Sequence, residues 1–237
     1  MAQQQQDAEE NPPRRCVVVL GSAANPPHRG HLHCLKLGKH KAESLGYQVL
    51  TTSIAIAPHG YVKQKMTKDA PQSALVLSDA SRLRILELIT QGNNAVAQFH
   101  CPDRAYGSAL ELGKSIRPDD SVAIVIVKGG DRGKNKWRKE PKAQHGAILT
   151  VCCARDQEQW QTLQKLFAKD QCEGLVKDQN FHLALEVGPP TSSTMIRFIL
   201  LQEGSSEEGK VALLADHRYS GEAARYMLSQ VPVDSIG

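Results

Sequence analysis

The chain has 237 residues, of which 41% are hydrophobic and 23% charged, with 29 Lys and Arg against 25 Asp and Glu. That length buries a full core, and a net charge of +4 is too mild to argue for a nucleic-acid partner. No apolar run approaches the roughly 20 residues that span a bilayer, and the polar N-terminus lacks the apolar centre of a signal peptide, so no membrane association is expected.

Residues 1–15 carry Gln3 to Gln6, Asp7, Glu9, Glu10 and the Pro12-Pro13 pair. Such a composition buries too little apolar surface to offset its ordering entropy; a disordered tail is expected, followed by one domain over 16–237. From Cys16 onward, short apolar runs alternate with helical patterns. Strands are expected at 16–20, 48–57, 96–100, 122–127, 147–153 and 182–187, and helices at 30–45, 79–91, 105–116, 157–169, 194–203 and 219–229. The run Val122 to Val127 is apolar throughout, as suits a strand covered on both faces. Leu83, Ile85, Leu86, Leu88 and Ile89 form an apolar stripe at helical period, with Asp79 or Ser81 as the cap. The alternation predicts an α/β fold, a Rossmann-like parallel sheet with helices on both faces and right-handed crossovers. Ligands bind such sheets at the carboxyl ends of the strands, near the point where strand order reverses. The six cysteines (Cys16, Cys34, Cys101, Cys152, Cys153 and Cys172) have no C-x-x-C or zinc-like spacing; reduced thiols in the cytoplasm or the nucleus are expected.

The most informative stretch runs from Gly21 to His31, Gly-Ser-Ala-Ala-Asn-Pro-Pro-His-Arg-Gly-His, between the first strand and the first helix. Free backbone N–H groups and the positive end of a helix dipole favour an anion there. His28 and His31 add imidazole donors one turn apart, and Gly30 between them permits close approach of the backbone to a ligand. A second stretch, Thr191-Ser-Ser-Thr-Met-Ile-Arg197, follows Pro189-Pro190, which forces a non-helical entry. Ser192 or Ser193 offers an N-cap, the first-turn N–H groups with the hydroxyls make a second anion site, and Arg197 supplies a planar fork suited to phosphate. A capped structural helix with a solvated arginine is the competing reading.

The first stretch resembles the signature of the nucleotidyltransferase superfamily with the His-x-Gly-His motif. Within it, the chain resembles the nicotinamide and nicotinate mononucleotide adenylyltransferases, and Ser192 to Arg197 is similar to their Ser-Ser-Thr-x-Ile-Arg motif. Three looser stretches agree in order. Pro58 to Lys65 resembles the family's loop whose lysine meets phosphate, a role open to Lys63 or Lys65. Ser81 to Leu88 resembles a helix whose arginine, here Arg82, is architectural. Gly129-Gly130-Asp131 after the strand at 122–127 resembles the family's Gly-x-Asp, where the glycine lets adenosine approach and Asp131 accepts from a ribose hydroxyl. Ala24 stands where the family usually has an aromatic residue.

Residues 128–142 carry seven basic side chains, Lys128, Arg132, Lys134, Lys136, Arg138, Lys139 and Lys142. They suit the attraction of a triphosphate or a solvated loop; nucleic acid is the weaker reading. The resemblance implies an aromatic stacked on a pyridine ring, assigned to Trp137, with Trp160 in the core, and a basic residue near the phosphates, Arg155.

The resemblance thus implies transfer of the adenylyl group of ATP to nicotinamide or nicotinate mononucleotide, giving the dinucleotide and pyrophosphate. ATP-binding residues would be Gly21, Ser22, Ala23, His28, His31, Gly129, Asp131, Ser192, Ser193, Thr194 and Arg197. His28, His31 and Arg197 would stabilise the reacting phosphates, and Mg²⁺ would accompany ATP without a dedicated protein cage. Self-association is a further implication. The alternatives are another phosphate acceptor on the same fold (phosphopantetheine, flavin mononucleotide, choline or ethanolamine phosphate) or a non-catalytic nucleotide-binding module.

Overall fold

The computed structural model describes residues 13–69, 75–90, 105–130, 136–138, 148–154, 156–185, 191–202 and 204–231. Its centre is β1 (Arg14–Ser22), where Cys16, Val17, Val18 and Val19 are each fully buried. β-Branched residues fit a pleated strand, and full burial of each such side chain is worth about 1.5–3 kcal/mol before entropy is counted. β2 (Tyr47–Ile56), β3 (Ala123–Gly129), β4 (Ile148–Ala154) and β5 (Phe181–Leu185) complete a five-stranded sheet of order β2-β1-β3-β4-β5. Every pairing is parallel.

The helices are α1 (Arg29–Ser44), α2 (His59–Asp69), α3 (Asp79–Thr90), α4 (Ala105–Ile116), α5 (Gln157–Cys172), α6 (Ser193–Leu201), α7 (Glu207–Asp216) and α8 (Gly221–Ser229). Alternate residues of β1 face opposite cores. Val18 and Leu20 join Val125, Val127 and Leu35 of α1, whereas Val17 and Val19 join Ile124, Ile126 and Leu112 of α4. Each covering helix meets the sheet at a glycine: a Cβ on Gly38 would lie 2.2 Å from Val127 Cγ2, and one on Gly113 would lie 2.5 Å from Ile124 Cγ2. The fold is therefore α/β, a parallel sheet with helices on both faces. The strand order reverses between β1 and β3, whose carboxyl ends are Ser22 and Gly129.

Several expectations are corrected. β1 begins at Arg14, inside the segment expected to be a tail; the Arg14 guanidinium sits 4.5 Å from the Tyr47 ring centre and donates to Leu45 O at 2.6 Å. The stretch Pro58 to Lys65, expected as a lysine-bearing loop, enters α2 at His59, and α7 lies where no helix is expected. The strand expected at 96–100 lies outside the described residues. Cys16, Cys34, Cys152, Cys153 and Cys172 are free thiols. Among the described residues, no helix is long and apolar enough to cross a membrane.

Candidate functional site

The segment between β1 and α1 is fixed by side chains from distant parts of the chain. Ala24 is buried with φ of 44°, the left-handed region, and its N–H donates to Ser22 Oγ at 3.1 Å. Asn25, 1% exposed, accepts from Leu77 N–H at 2.9 Å and donates to Leu75 O at 2.7 Å, so its amide reads the 75–77 backbone as a strand neighbour would. The Asn25–Pro26 peptide is cis. Arg82 of α3 is fully buried and donates to Ala23 O at 2.5 Å and Ala57 O at 2.6 Å, joining the carboxyl ends of β1 and β2. Burial depresses its pKa, and its ion pair with Asp79 opposes that shift. Arg82 has the architectural role expected of it.

His28 is the N-cap of α1, extended at φ −151° and ψ 168°, with a side chain 8% exposed. Its Nδ1 accepts from Gly30 N–H at 3.1 Å, and His31 Nδ1 accepts from His28 N–H at 3.1 Å, a reciprocal capping box made of two imidazoles. Because Nδ1 accepts in both rings, the proton of each neutral imidazole resides on Nε2. The ring centroids are 3.8 Å apart with planes tilted by 40°. The cap thus brings two Nε2 donors to one helix N-terminus. A Cβ on Gly30 would lie 2.8 Å from His28 Nδ1 and 3.3 Å from Thr191 O, so any side chain there would displace the His28 ring.

The second motif packs on this same segment. Ser192 caps α6, its Oγ accepting from Met195 N–H at 3.2 Å. Ser193 Oγ donates to Pro26 O at 2.9 Å, Arg197 Nη1 donates to Asn25 O at 2.6 Å, and Tyr219 Oη donates to Pro27 O at 2.5 Å. Three successive carbonyls of the first motif each receive a donor from the last quarter of the chain. Arg197 is 4% exposed, and its Nη2 donates to Thr194 Oγ1 at 3.2 Å. Burial lowers the Arg197 pKa and raises that of the Tyr219 hydroxyl, which stays a proton donor.

These contacts revise the expected roles. The Ser193 hydroxyl and Arg197 Nη1 bind the protein's own turn, and Arg197 Nη2 binds Thr194 of the same helix, so both act in this structure as positioning residues. Ser192 Oγ is likewise engaged in its cap. α6 contributes its first-turn N–H groups at Ser193 and Thr194, together with the exposed Thr194 hydroxyl.

The remaining expected residues are scattered around this centre. Gly21, Ser22 and Ala23 lie at or just past the carboxyl end of β1, with Gly129 ending β3 beside them. Asp131 and Arg155 lie outside the described residues. Lys63 and Lys65 sit on α2, two positions apart and therefore on different sides of the helix. Lys63 is exposed, and Lys65 is half-buried. Trp137, expected to stack on a pyridine ring, lies instead in an apolar cluster. It is fully buried, edge-on to Phe167 and Phe181 at 5.1 and 5.2 Å, with its indole N–H on Asp170 at 2.6 Å. Trp160 packs at the margin of the same cluster, in line with its expected core role. Lys128, the next-to-last residue of β3, is held down to about 8 by burial and by Lys136. Among the described residues, no group of three or more His, Cys, Asp or Glu side chains is arranged to hold a metal.

Comparison of the chain with known protein families and with curated proteins finds no match.

Proposed function

We propose that the chain is a nucleotidyltransferase that joins the adenylyl group of ATP to a mononucleotide phosphate, with nicotinamide or nicotinate mononucleotide as acceptor. The observation that carries this reading is the convergence of two motifs more than 160 residues apart, through the Arg197 and Ser193 donors to Asn25 and Pro26, on the helix start that holds the histidine pair. Two helix N-termini and two imidazole Nε2–H groups form an anion site at the topological switch point, where α/β sheets bind nucleotides.

An acceptor phosphate oxygen attacks the α-phosphorus of ATP, the bond from that phosphorus to the bridging oxygen of the β-phosphate breaks, and pyrophosphate leaves. No covalent enzyme intermediate is required, because positioning and charge stabilisation supply the rate. His28 and His31 donate to the α-phosphate oxygens as charge builds there. The first-turn N–H groups of α6 meet the triphosphate, while Arg197 and Ser193 hold the turn that aims the histidines. Mg²⁺ enters as part of the ATP substrate.

The test is pyrophosphate release from ATP and Mg²⁺ with a panel of phosphate acceptors. Release is expected with a pyridine mononucleotide. Release only with phosphopantetheine, flavin mononucleotide or choline phosphate would reassign the acceptor. ATP binding without release on any acceptor would favour a binding module.

A further inference from the structure

The connection between α7 and α8 touches the site, and apart from the Tyr219 hydroxyl it has no part in the reading above. α7 ends in a Schellman motif, in which Arg218 N–H donates to Ala215 O at 2.7 Å and Tyr219 N–H donates to Leu214 O at 3.2 Å. The motif places one residue in the left-handed region, where glycine is favoured because it lacks the crowding Cβ. Here that residue is Arg218, with φ of 63°. The backbone turn would form more readily with glycine, so nothing in the local fold calls for a guanidinium at this position.

Three contacts seat the turn on the candidate site. Tyr219 Oη holds Pro27 O at 2.5 Å, Arg29 Nε donates to Arg218 O at 3.4 Å, and Thr191 Oγ1 shares a hydrogen bond with His217 Nδ1 at 3.4 Å. Arg29 is the first residue of α1, and Thr191 precedes the α6 cap. Thr191 O in turn lies 3.3 Å from the Cβ position of Gly30, beside the His28 ring. A continuous line therefore runs from the histidine pair through Gly30 and Thr191 to His217 and Arg218. Arg218 is exposed, and Arg29 and His217 are half-buried.

We propose that Arg29, His217 and Arg218 form the subsite for the β- and γ-phosphates of the nucleotide, the group that leaves as pyrophosphate. The inference rests on the adenylyltransferase reading and extends it. Two guanidinium-bearing residues meet at one backbone carbonyl beside the positive ends of α1 and α6, an arrangement that suits a polyanion. Such a subsite complements Ser193 and Arg197, because Ser193 Oγ and Arg197 Nη1 are taken up by the turn and Arg197 Nη2 by Thr194. Asp216, exposed at the end of α7, is the neighbouring acid in sequence.

The experiment is calorimetric titration of Mg²⁺–ATP and of AMP, with no acceptor present so that turnover is absent, into wild type, Arg218→Gly and Arg29→Gln. Arg218→Gly should melt at or above wild type, because glycine suits the left-handed position. Its ATP affinity should fall about tenfold or more, the effect of losing one charge-assisted hydrogen bond, while AMP affinity stays within about twofold. Arg29→Gln should show the same split. ATP binding equal to wild type in both variants, or equal losses for ATP and AMP, would overturn the subsite. A wild type that binds neither nucleotide would overturn the adenylyltransferase reading and the subsite together, an outcome distinct from the others.

Discussion

At the scale of single residues, the proposed reaction asks two things of each ring of His28 and His31. Nδ1 closes the helix cap, and the proposal gives Nε2–H the phosphate, so a change that preserves the first role isolates the second. His28→Asn keeps an oxygen to accept from Gly30 N–H, and asparagine is a strong N-cap residue. Its melting temperature should stay within a few degrees of wild type, corresponding to less than about 1 kcal/mol. Turnover should fall roughly 100-fold or more, as for loss of one transition-state donor. His31→Ala removes both roles and should lose comparable turnover together with about 1 kcal/mol of stability. Ala24 shows why a residue can resist reading from sequence. Its buried left-handed conformation becomes visible only once β1 and the 75–77 segment enclose the turn.

At the scale of elements, the 3-10 turn Lys136–Arg138 and α5 form a unit around one carboxylate. Asp170 is fully buried and accepts from Trp137 Nε1 at 2.6 Å, from Arg138 Nε at 2.5 Å and from Arg138 Nη2 at 2.6 Å. Arg138, then Trp137, holds its carboxyl below the ordinary aspartate range, against the opposing effect of burial. A lowered folded pKa means that the contribution is complete above the unfolded value, near 4, and is lost as pH falls through the folded one. The stability gap between wild type and Asp170→Asn should therefore be full at pH 7 and close progressively on acidification below about pH 4. A gap independent of pH in thermal melts would contradict this assignment. The same region shows where element reading succeeds and fails. Helix α5 was legible from its apolar spacing, whereas α2 buries few apolar side chains, Val62 and Met66 among them, and gives little helical stripe. α7 has a usable start signal in Ser206 followed by Glu207 and Glu208, but Gly209 interrupts the pattern.

At the scale of the whole molecule, the parallel sheet was readable because its central strands are apolar on both faces and alternate with helices. Both capped helix starts were readable as well, since capping hydroxyls, glycine and histidine are local signals. The partners of the first motif were not. Nothing near Tyr219 in sequence announces that its hydroxyl reaches Pro27 O, and Arg197 looks like a phosphate ligand until its nitrogens are found on Asn25 and Thr194. Such long-range bonds depend on how α6 and α8 pack, which spacing alone does not encode. Tyr219→Phe leaves Pro27 O without this donor and should cost about 1–3 kcal/mol in denaturant melts. Activity should fall with it, because the same turn aims the histidines; unchanged stability would remove Tyr219 from the account. The most direct measurement follows the α-phosphate itself. ATP labelled at that position, incubated with Mg²⁺ and nicotinamide or nicotinate mononucleotide, should deliver its label to a dinucleotide while unlabelled pyrophosphate is released, and His28→Asn should slow the transfer roughly 100-fold. Label that stays in ATP, or appears only as AMP, would contradict the central claim.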